Sequence, residues 1–151
     1  MRNSSHHKIR TAIANLFRAK GLDVFEEVHC IAQHDDHSQN RRADIIVVDR
    51  AGGHGWVLDP PIRWETSKTD QDIAANTEKK AIYEPCIPYL VQQYGIPSWT
   101  VMGLWFGARG SASNVLVDFF KAHQIPKATL FALCLRVLRD TIGIIQFFLY
   151  G

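Results

Sequence analysis

With 151 residues, 46% of them hydrophobic and 21% charged, the chain can bury a core and is expected to form one soluble domain over residues 1–151. Its formal net charge of +2 excludes the strongly basic profile of a dedicated nucleic-acid binder. Three widely spaced cysteines (Cys30, Cys86 and Cys134) argue against a disulfide framework and predict an intracellular location, nuclear or cytoplasmic.

The first half of the chain reads as one helix followed by three strands. Apolar side chains at helical spacing indicate an amphipathic helix, and short runs of β-branched residues indicate strands. The predicted elements are a helix over Ile9–Phe17 that ends at Gly21, a strand over Asp23–Ala32, a polar loop over Gln33–Arg42, a strand over Ala43–Val48 buried on both faces, a turn over 51–55, and a strand from Trp56 through Asp59 to Glu65.

The second half reads as a helix, a strand and two further helices. Thr69 and Asp72 have the spacing of a capping box, and prolines mark the end of the helix that follows. The predicted elements are a helix from Thr69 to Tyr83, a break at Pro85 and Pro88, a short helix over Tyr89–Tyr94, a strand over Trp99–Phe106, a turn over Gly107–Gly110, a helix over Ala112–Ala122 and a long apolar helix from Lys127.

The apolar stretch Ala128–Leu149 raises the question of a membrane span. Four residues interrupt it, namely Arg136, Arg139, Asp140 and Gln146. Charged side chains are expensive at the centre of a bilayer. We therefore expect no membrane partner and a helix buried in the protein or in an interface, with the oligomeric state left open.

Two aspartates adjoin short apolar runs. Asp44 stands in Arg-Arg-Ala-Asp-Ile-Ile-Val-Val, and Asp59 ends Gly-Trp-Val-Leu-Asp. An acid in a strand is expensive to bury unpaired, so two of them on neighbouring strands predict a shared cation with oxygen ligands, Mg²⁺ or Mn²⁺. The alternative is that both acids are exposed at strand ends. Glu27, on the first predicted strand, is a candidate third ligand.

The helix after the acids supplies a candidate catalytic amine. Lys79 and Tyr83 are four residues apart and share a helical face. Such a lysine can steady an attacking water or a developing negative charge on a phosphate. Lys80 is a competing choice for that role. A solvated outer surface is the commoner role of a charged run such as this one.

Several other residues carry weaker signals. Cations at the ends of predicted elements are candidates for phosphate contact, and they are Arg41, Arg42, Lys68, Lys80 and Arg109. Another group, His29, Cys30, His34 and His37, invites a zinc hypothesis. Its spacing matches no standard zinc pattern, so a polar loop is the simpler account.

Taken in order, the motifs resemble the restriction-endonuclease-like domain of site-specific non-LTR retrotransposons, a branch of the PD-(D/E)xK nucleases. The resemblance covers most of the chain, and the order and spacing of the motifs carry it. The motifs are a histidine-led opening helix at His7, Arg41-Arg-Ala-Asp44-Ile-Ile, Leu58-Asp59-Pro-Pro-Ile-Arg-Trp-Glu65, Glu78-Lys-Lys-Ala-Ile-Tyr83 and Leu104-Trp-Phe-Gly-Ala-Arg-Gly110.

The resemblance implies an α/β fold with the αβββαβ core of the PD-(D/E)xK fold, a mixed four-stranded sheet and additional C-terminal helices. It also implies a metal-dependent DNA endonuclease that uses Mg²⁺ or Mn²⁺. Such a domain nicks a target site, and the freed 3′-hydroxyl primes reverse transcription elsewhere in the parent polyprotein. The expected partners are therefore DNA and the rest of a reverse-transcriptase polyprotein.

Residue by residue, the resemblance makes Asp44 and Asp59 the two catalytic acids and metal ligands. Ala43 replaces the proline that usually precedes the first acid. Glu65 is similar to an additional acid of the family and would be a further metal ligand.

The lysine of the usual motif is missing, because Pro61 stands two residues after the second acid. The retrotransposon branch instead takes its lysine from the following helix, with a tyrosine one turn on. Lys79 and Tyr83 match that arrangement. Lys79 would position or activate the attacking water, and Tyr83 would orient Lys79 or contact the phosphate.

Two interpretations outside catalysis stay open. The modest charge and the apolar C-terminal helix fit a catalytically inactive relic that binds DNA or another protein. The same helix, over Phe131–Leu149, fits a structural domain that dimerises through an exposed apolar patch.

Overall fold

The computed structural model describes residues 2–66 and 70–150. It shows an α/β fold with a mixed four-stranded sheet and C-terminal helices, which confirms these coarse features of the expected architecture. The helices are α1 (Arg2–Arg18), α2 (Gln71–Tyr83), α3 (Ile87–Tyr94), α4 (Asn114–Ala122) and α5 (Lys127–Tyr150), with a 3-10 turn (Glu84–Cys86) between α2 and α3. The strands are β1 (Asp23–Gln33), β2 (Ser38–Asp49), β3 (His54–Asp59), β4 (Ile62–Arg63), β5 (Ser98–Gly103) and β6 (Phe106–Gly107).

The main sheet has the strand order β1-β2-β3-β5. The β1–β2 and β2–β3 pairs are antiparallel, and the β3–β5 pair is parallel, with α2 and α3 in its crossover. The β2–β3 register pairs Ile45 with Leu58. One further step along that register places Asp44 across from Asp59, so the sheet makes the two acids neighbours.

Two hydrophobic clusters cover the two faces of this sheet. On one face Ile45 and Val47 pack with residues of α1, α4 and α5. On the other face Ile46 and Val48 pack with residues of α2 and α3. This is the pattern of a strand buried on both sides, as predicted for this run of β2.

The long β1–β2 hairpin exchanges faces at Glu27 and Asp44. Val24 packs with the cluster that contains α1, whereas Val28 packs with the opposite cluster. In a regular strand, residues two or four apart face the same side of the sheet. Val24 and Val28 face opposite sides, so the alternation of side chains reverses between them. Glu27 has a left-handed backbone with φ of 51°, which costs a non-glycine residue about 1 to 2 kcal/mol, and the regular pairing skips Glu27 and Asp44. Asp44 thus lies where elements on both faces can approach it.

The predicted loop over Gln33–Arg42 is wrong for most of its length. Residues 38–42 belong to β2, and the turn is His34–His37, closed by a hydrogen bond of 2.9 Å from the His34 amide to the His37 carbonyl. This end of the hairpin extends beyond the core, so its polar side chains are solvated and the apolar alternation of a strand is missing.

The third and fourth predicted strands are shorter than expected. β3 ends at Asp59 because Pro60 and Pro61 follow, and proline has no amide hydrogen for the ladder. β5 ends at Gly103, and the residues beyond both strands form a separate parallel pair, β4 with β6. Glu65 therefore does not continue the main sheet.

The helical region after the acids also departs in detail from the prediction. Thr69 lies outside the described residues, and the N-cap of α2 is Asp70, which makes no side-chain cap bond. Pro85 lies in the 3-10 turn and Pro88 in the first turn of α3, where a missing amide hydrogen is harmless. The prolines thus shape consecutive helical turns instead of separating them.

α5 packs on the protein with one side only. Leu133 and Val137 are buried, whereas Phe131 and Phe148 on the same helix are 69% and 80% exposed. Within residues 2–66 and 70–150, no helix combines the length and the apolarity that a membrane crossing requires.

Glu26 joins α1 to β1 through three hydrogen bonds. Thr11 and Arg10 donate to Oε1 at 2.8 and 3.1 Å, and Arg18 donates to Oε2 at 2.9 Å. Burial raises the pKa of Glu26, but these bonds outweigh it and lower the pKa below its ordinary 4.5. The bonded carboxylate thus stabilises the fold above pH 4.5, and this contribution is lost as the pH falls through the lowered pKa.

The first prediction is therefore that Glu26→Gln lowers the free energy of unfolding at pH 7 by about 1 to 3 kcal/mol. Urea denaturation measures this loss, and the difference from wild type is expected to shrink as the pH falls below 4.5. Glu84→Gln is the matched control, because Glu84 is exposed. An equal loss in both variants would contradict the role of Glu26.

Candidate active site

An open cavity of about 340 Å³ lies where β2, β3, α1 and α2 meet. It is lined by His6, Asp44, Asp59, Pro61, Ile62, Arg63 and Lys79. The two acids and the lysine singled out in the sequence therefore come together in one place.

Asp59 is the most buried polar group of this cavity. Its side chain is only 7% exposed, and Lys79 Nζ lies 3.2 Å from Oδ2. The backbone fixes its position, because β3 ends here and the Asp59 carbonyl accepts a hydrogen bond of 2.7 Å from the Leu104 amide. The carboxylate is therefore held rigidly and is paired with an amine.

Asp44 faces the same cavity from β2. Its side chain is 19% exposed, and its Oδ2 lies 3.0 Å from Nε2 of His6 on α1. The packing of Ile9 and Ile13 of α1 against the sheet turns this side of the helix towards β2. The pair of acids is thus contacted by α1 at one end and by α2 at the other.

The two carboxylates disturb one another electrostatically. Burial raises the pKa of Asp59 above its ordinary 3.8, the negative charge of Asp44 raises it further, and Lys79 opposes both effects. Two like charges in a poorly solvated place are unfavourable unless a cation balances them. The site is therefore built at a cost in stability, which is typical of functional sites.

A divalent cation fits this group of side chains. One ligand atom each from His6, Asp44 and Asp59 can be chosen so that all lie within 4.8 Å of one another. Among the residues that the structure describes, this is the one cluster of such side chains with the spacing of a metal site. Carboxylate oxygens suit Mg²⁺ and Mn²⁺, and imidazole nitrogen suits transition ions.

Lys79, and not Lys80, reaches the acids. The side chain of Lys79 is 15% exposed and ion-paired to Asp59, whereas Lys80 is exposed to solvent on the neighbouring face of α2. The helical periodicity of α2 explains the difference, because adjacent residues are about 100° apart around a helix.

Tyr83 lies beneath the site, where it is 7% exposed. Its hydroxyl donates a hydrogen bond of 3.0 Å to the carbonyl of Arg42, two residues before Asp44 on β2. Burial raises the pKa of the phenol, and the charges of Asp59 and Asp44 raise it further. Tyr83 is therefore a neutral donor that supports β2. Its expected role in orienting Lys79 or contacting phosphate stays a prediction.

Neither of the two further candidate ligands, Glu65 and Glu27, belongs to the group formed by His6, Asp44 and Asp59. Glu65 Oε1 accepts a hydrogen bond of 2.9 Å from the Arg109 amide and lines a separate cavity. The prolines after Asp59 divert the chain, so Glu65 does not share the strand of that acid. Glu27 instead pairs with Arg10 at 3.1 Å. The structure thus corrects the assignment of Glu65 as a metal ligand and gives Glu27 a different partner.

None of the candidate DNA-binding cations that the structure describes lines this cavity. Arg42, Lys80 and Arg109 are exposed, and Arg41 is partly buried with a hydrogen bond of 3.0 Å to Gln39. Lys68 lies outside the described residues. The cation that lines the cavity besides Lys79 is Arg63, which the sequence did not single out and which Glu78 holds by two hydrogen bonds of 2.9 Å.

The zinc hypothesis finds no support in the described part of the chain. His29 bonds Asn40 and His34 bonds Gln39, both within the β1–β2 hairpin, and His37 pairs with Asp36. Cys30 is buried with its sulfur 3.4 Å from that of Cys86. All three cysteines are free in this structure.

His6 is the site residue that sequence reasoning missed. The resemblance places the histidine of the opening helix at His7, but His7 is exposed and His6 contacts Asp44. The sequence did contain a signal for His6. Arg10 is four residues further on, lies on the same face of α1 and pairs with the glutamates of β1, so that face was the one to expect against the sheet.

The comparisons with known proteins do not identify the chain. No protein-family model matches the sequence, and a search of curated proteins finds no match. The function is therefore inferred from the geometry of the site and from the motifs themselves.

Proposed function

We propose that the chain is a metal-dependent DNA endonuclease domain with a PD-(D/E)xK-type fold and a retrotransposon origin. The observation that carries the proposal is the convergence of Asp44, Asp59 and Lys79 on one open cavity. Two carboxylates on the adjacent central strands β2 and β3, with an amine from the next helix, are the parts that phosphodiester hydrolysis with a divalent ion requires. If the short β4, the 3-10 turn and α3 are left out, the order α1-β1-β2-β3-α2-β5 follows the αβββαβ core that the resemblance implies.

In this mechanism Asp44 and Asp59 would hold the ion, which when bound would neutralise phosphate charge and lower the pKa of a coordinated water. Lys79, held at 3.2 Å from Asp59, places a positive charge where the attacking water or the developing oxyanion needs it. Tyr83 fixes β2 beneath Asp44 through the Arg42 carbonyl. Attack by water breaks one P–O bond of DNA and leaves a nick with a free 3′-hydroxyl.

The proposal includes partners and location. The substrate is DNA, and the nick would prime reverse transcription by another part of a parent polyprotein, in the nucleus or cytoplasm. Three exposed cations outside the cavity lining, Arg42, Lys80 and Arg109, are the proposed contacts to the DNA backbone.

A second candidate is an inactive relic that binds a protein partner or dimerises. The exposed end of α5 favours it, because Phe147, Phe148, Leu149 and Tyr150 are each more than 60% exposed. The intact ion pair and acid pair of the cavity weigh against it, because a relic has no reason to keep two facing carboxylates whose repulsion destabilises the fold.

A plasmid-nicking assay tests the proposal and supplies the second prediction. We expect wild-type protein to convert supercoiled plasmid to open circles with Mn²⁺, with EDTA stopping the reaction. Asp59→Asn should show only background nicking, because a carboxamide is a neutral and poor ligand. Asp118→Asn is the matched control, since Asp118 is exposed on α4 and does not line the cavity.

Equal nicking by wild type and Asp59→Asn would refute the assignment of the site. A folded wild-type protein that neither nicks DNA nor gives a binding heat with Mn²⁺ would instead support the inactive relic.

A further inference from the structure

We infer that the imidazole of His6 is the third ligand of the cation site and makes the site select first-row transition ions over Mg²⁺. This inference rests on the proposed cation site and concerns its ligand set and its choice of ion. The proposed reaction needs only the two aspartates and Lys79, so the two can fail separately.

The distances suit a ligand role for His6. Nε2 of His6 lies 3.0 Å from Oδ2 of Asp44. Two ligand atoms that bind one ion at about 2.1 Å and at right angles are themselves about 3.0 Å apart. Asp59 completes a set whose ligand atoms lie within 4.8 Å of one another, so small side-chain movements would bring all three onto one ion.

The start of α1 is anchored, so His6 is held in place. Ser5 Oγ donates a hydrogen bond of 2.9 Å to Asp140 of α5, and Arg10 is tied to the glutamates of β1 at 3.1 Å. Ile9 between them is fully buried. A ligand fixed by its surroundings loses little conformational entropy when it binds an ion.

The chemistry of the donor set decides the choice of ion. Mg²⁺ requires nearly ideal octahedral oxygen coordination and keeps several waters, and it gains little from imidazole. Transition ions bind imidazole nitrogen well. If His6 only donated a hydrogen bond to Asp44, its removal would affect all divalent ions alike, whereas a bound nitrogen changes the preference between them.

Pulsed electron paramagnetic resonance of Mn²⁺ bound to the whole chain tests the inference directly, as the third prediction. A directly bonded imidazole gives a nitrogen hyperfine coupling, which we expect in wild type and in the control His7→Asn, but not in His6→Asn. Removal of this ligand should weaken Mn²⁺ binding about 10-fold or more. Mg²⁺ affinity, measured by competition with Mn²⁺, should change by less than about threefold.

The outcomes separate the two proposals. Mn²⁺ binding that depends on Asp44 but shows no nitrogen coupling in wild type overturns the role of His6 and leaves the endonuclease proposal standing. Mn²⁺ binding that is unaffected by Asp44→Asn removes the cation site and the role of His6 together. The wild-type spectrum alone distinguishes a bound from an unbound imidazole, so a poorly folded His6→Asn variant does not block the test.

Discussion

Asp44→Asn is expected to reduce DNA nicking by about 10³-fold and to make the cation-free protein more stable. Asp44 faces Asp59, whose carboxylate is buried and has a pKa raised first by burial and then by the charge of Asp44. The substitution removes that repulsion and leaves the Asp59–Lys79 ion pair in place. We expect a gain of about 1 kcal/mol in the free energy of unfolding, or about 2 to 4 °C in midpoint temperature.

The pH dependence of this gain has a definite sign. An acid whose pKa is raised by folding binds its proton more tightly in the native state, so stability falls as the pH rises from its ordinary 3.8 through the raised value. Asp44→Asn lowers the pKa of Asp59 and should make that fall smaller. Thermal unfolding across this range, with and without the substitution, measures the difference.

Divalent ions should reverse the order of stability. Mn²⁺ stabilises the native state by an amount that grows with its concentration over the dissociation constant, and it should do so for wild type only. Loss of the ion should reduce nicking by about 10³-fold, because metal assistance supplies several kcal/mol. Asp118→Asn makes the same change of charge at an exposed site. It should leave the stability of the cation-free protein, its stabilisation by Mn²⁺ and the nicking rate unaltered. A less stable Asp44→Asn protein would show that His6 stabilises Asp44 more than Asp59 destabilises it.

The convergence of Asp44, Asp59 and Lys79 was predictable from the sequence, because local rules govern it. Asp44 and Asp59 adjoin apolar runs that had to be neighbouring strands, and their antiparallel register needs only a short turn between them. The helical periodicity of α2 determines that Lys79 faces the acids. These features depend on neighbours close in sequence, where pattern and structure agree.

The remaining features depend on contacts distant in sequence. His6 meets Asp44 only because α1 packs across β2, and a one-residue rotation of that helix would have presented His7. The face exchange at Glu27 needs a left-handed residue that is not glycine, which composition does not signal. Glu65 was misplaced because two prolines divert the chain into the small β4–β6 pair.

Lys79→Ala is expected to separate cation binding from catalysis. Lys79 contacts Asp59 but offers no lone pair to an ion while it is protonated, so the aspartates and any ion they hold remain after its removal. Nicking should fall by about 10² to 10³-fold, the usual effect of losing one group that stabilises transition-state charge. Mn²⁺ affinity should stay the same or rise, because a positive charge beside the ion has been removed.

Lys80→Ala is the matched control for Lys79→Ala, because the two lysines are adjacent on α2 and only Lys80 is exposed to solvent. Plasmid nicking together with calorimetric titration of Mn²⁺ distinguishes their roles, and Lys80→Ala should change the nicking rate by less than about threefold. A larger loss of nicking in Lys80→Ala than in Lys79→Ala would mean that Lys80 is the important lysine and that it acts by contacting DNA. Loss of Mn²⁺ binding in Lys79→Ala would mean that the ion pair holds Asp59 in position for the ion. The lysine would then have a structural role in the site, and its effect on nicking would not show a direct role in catalysis.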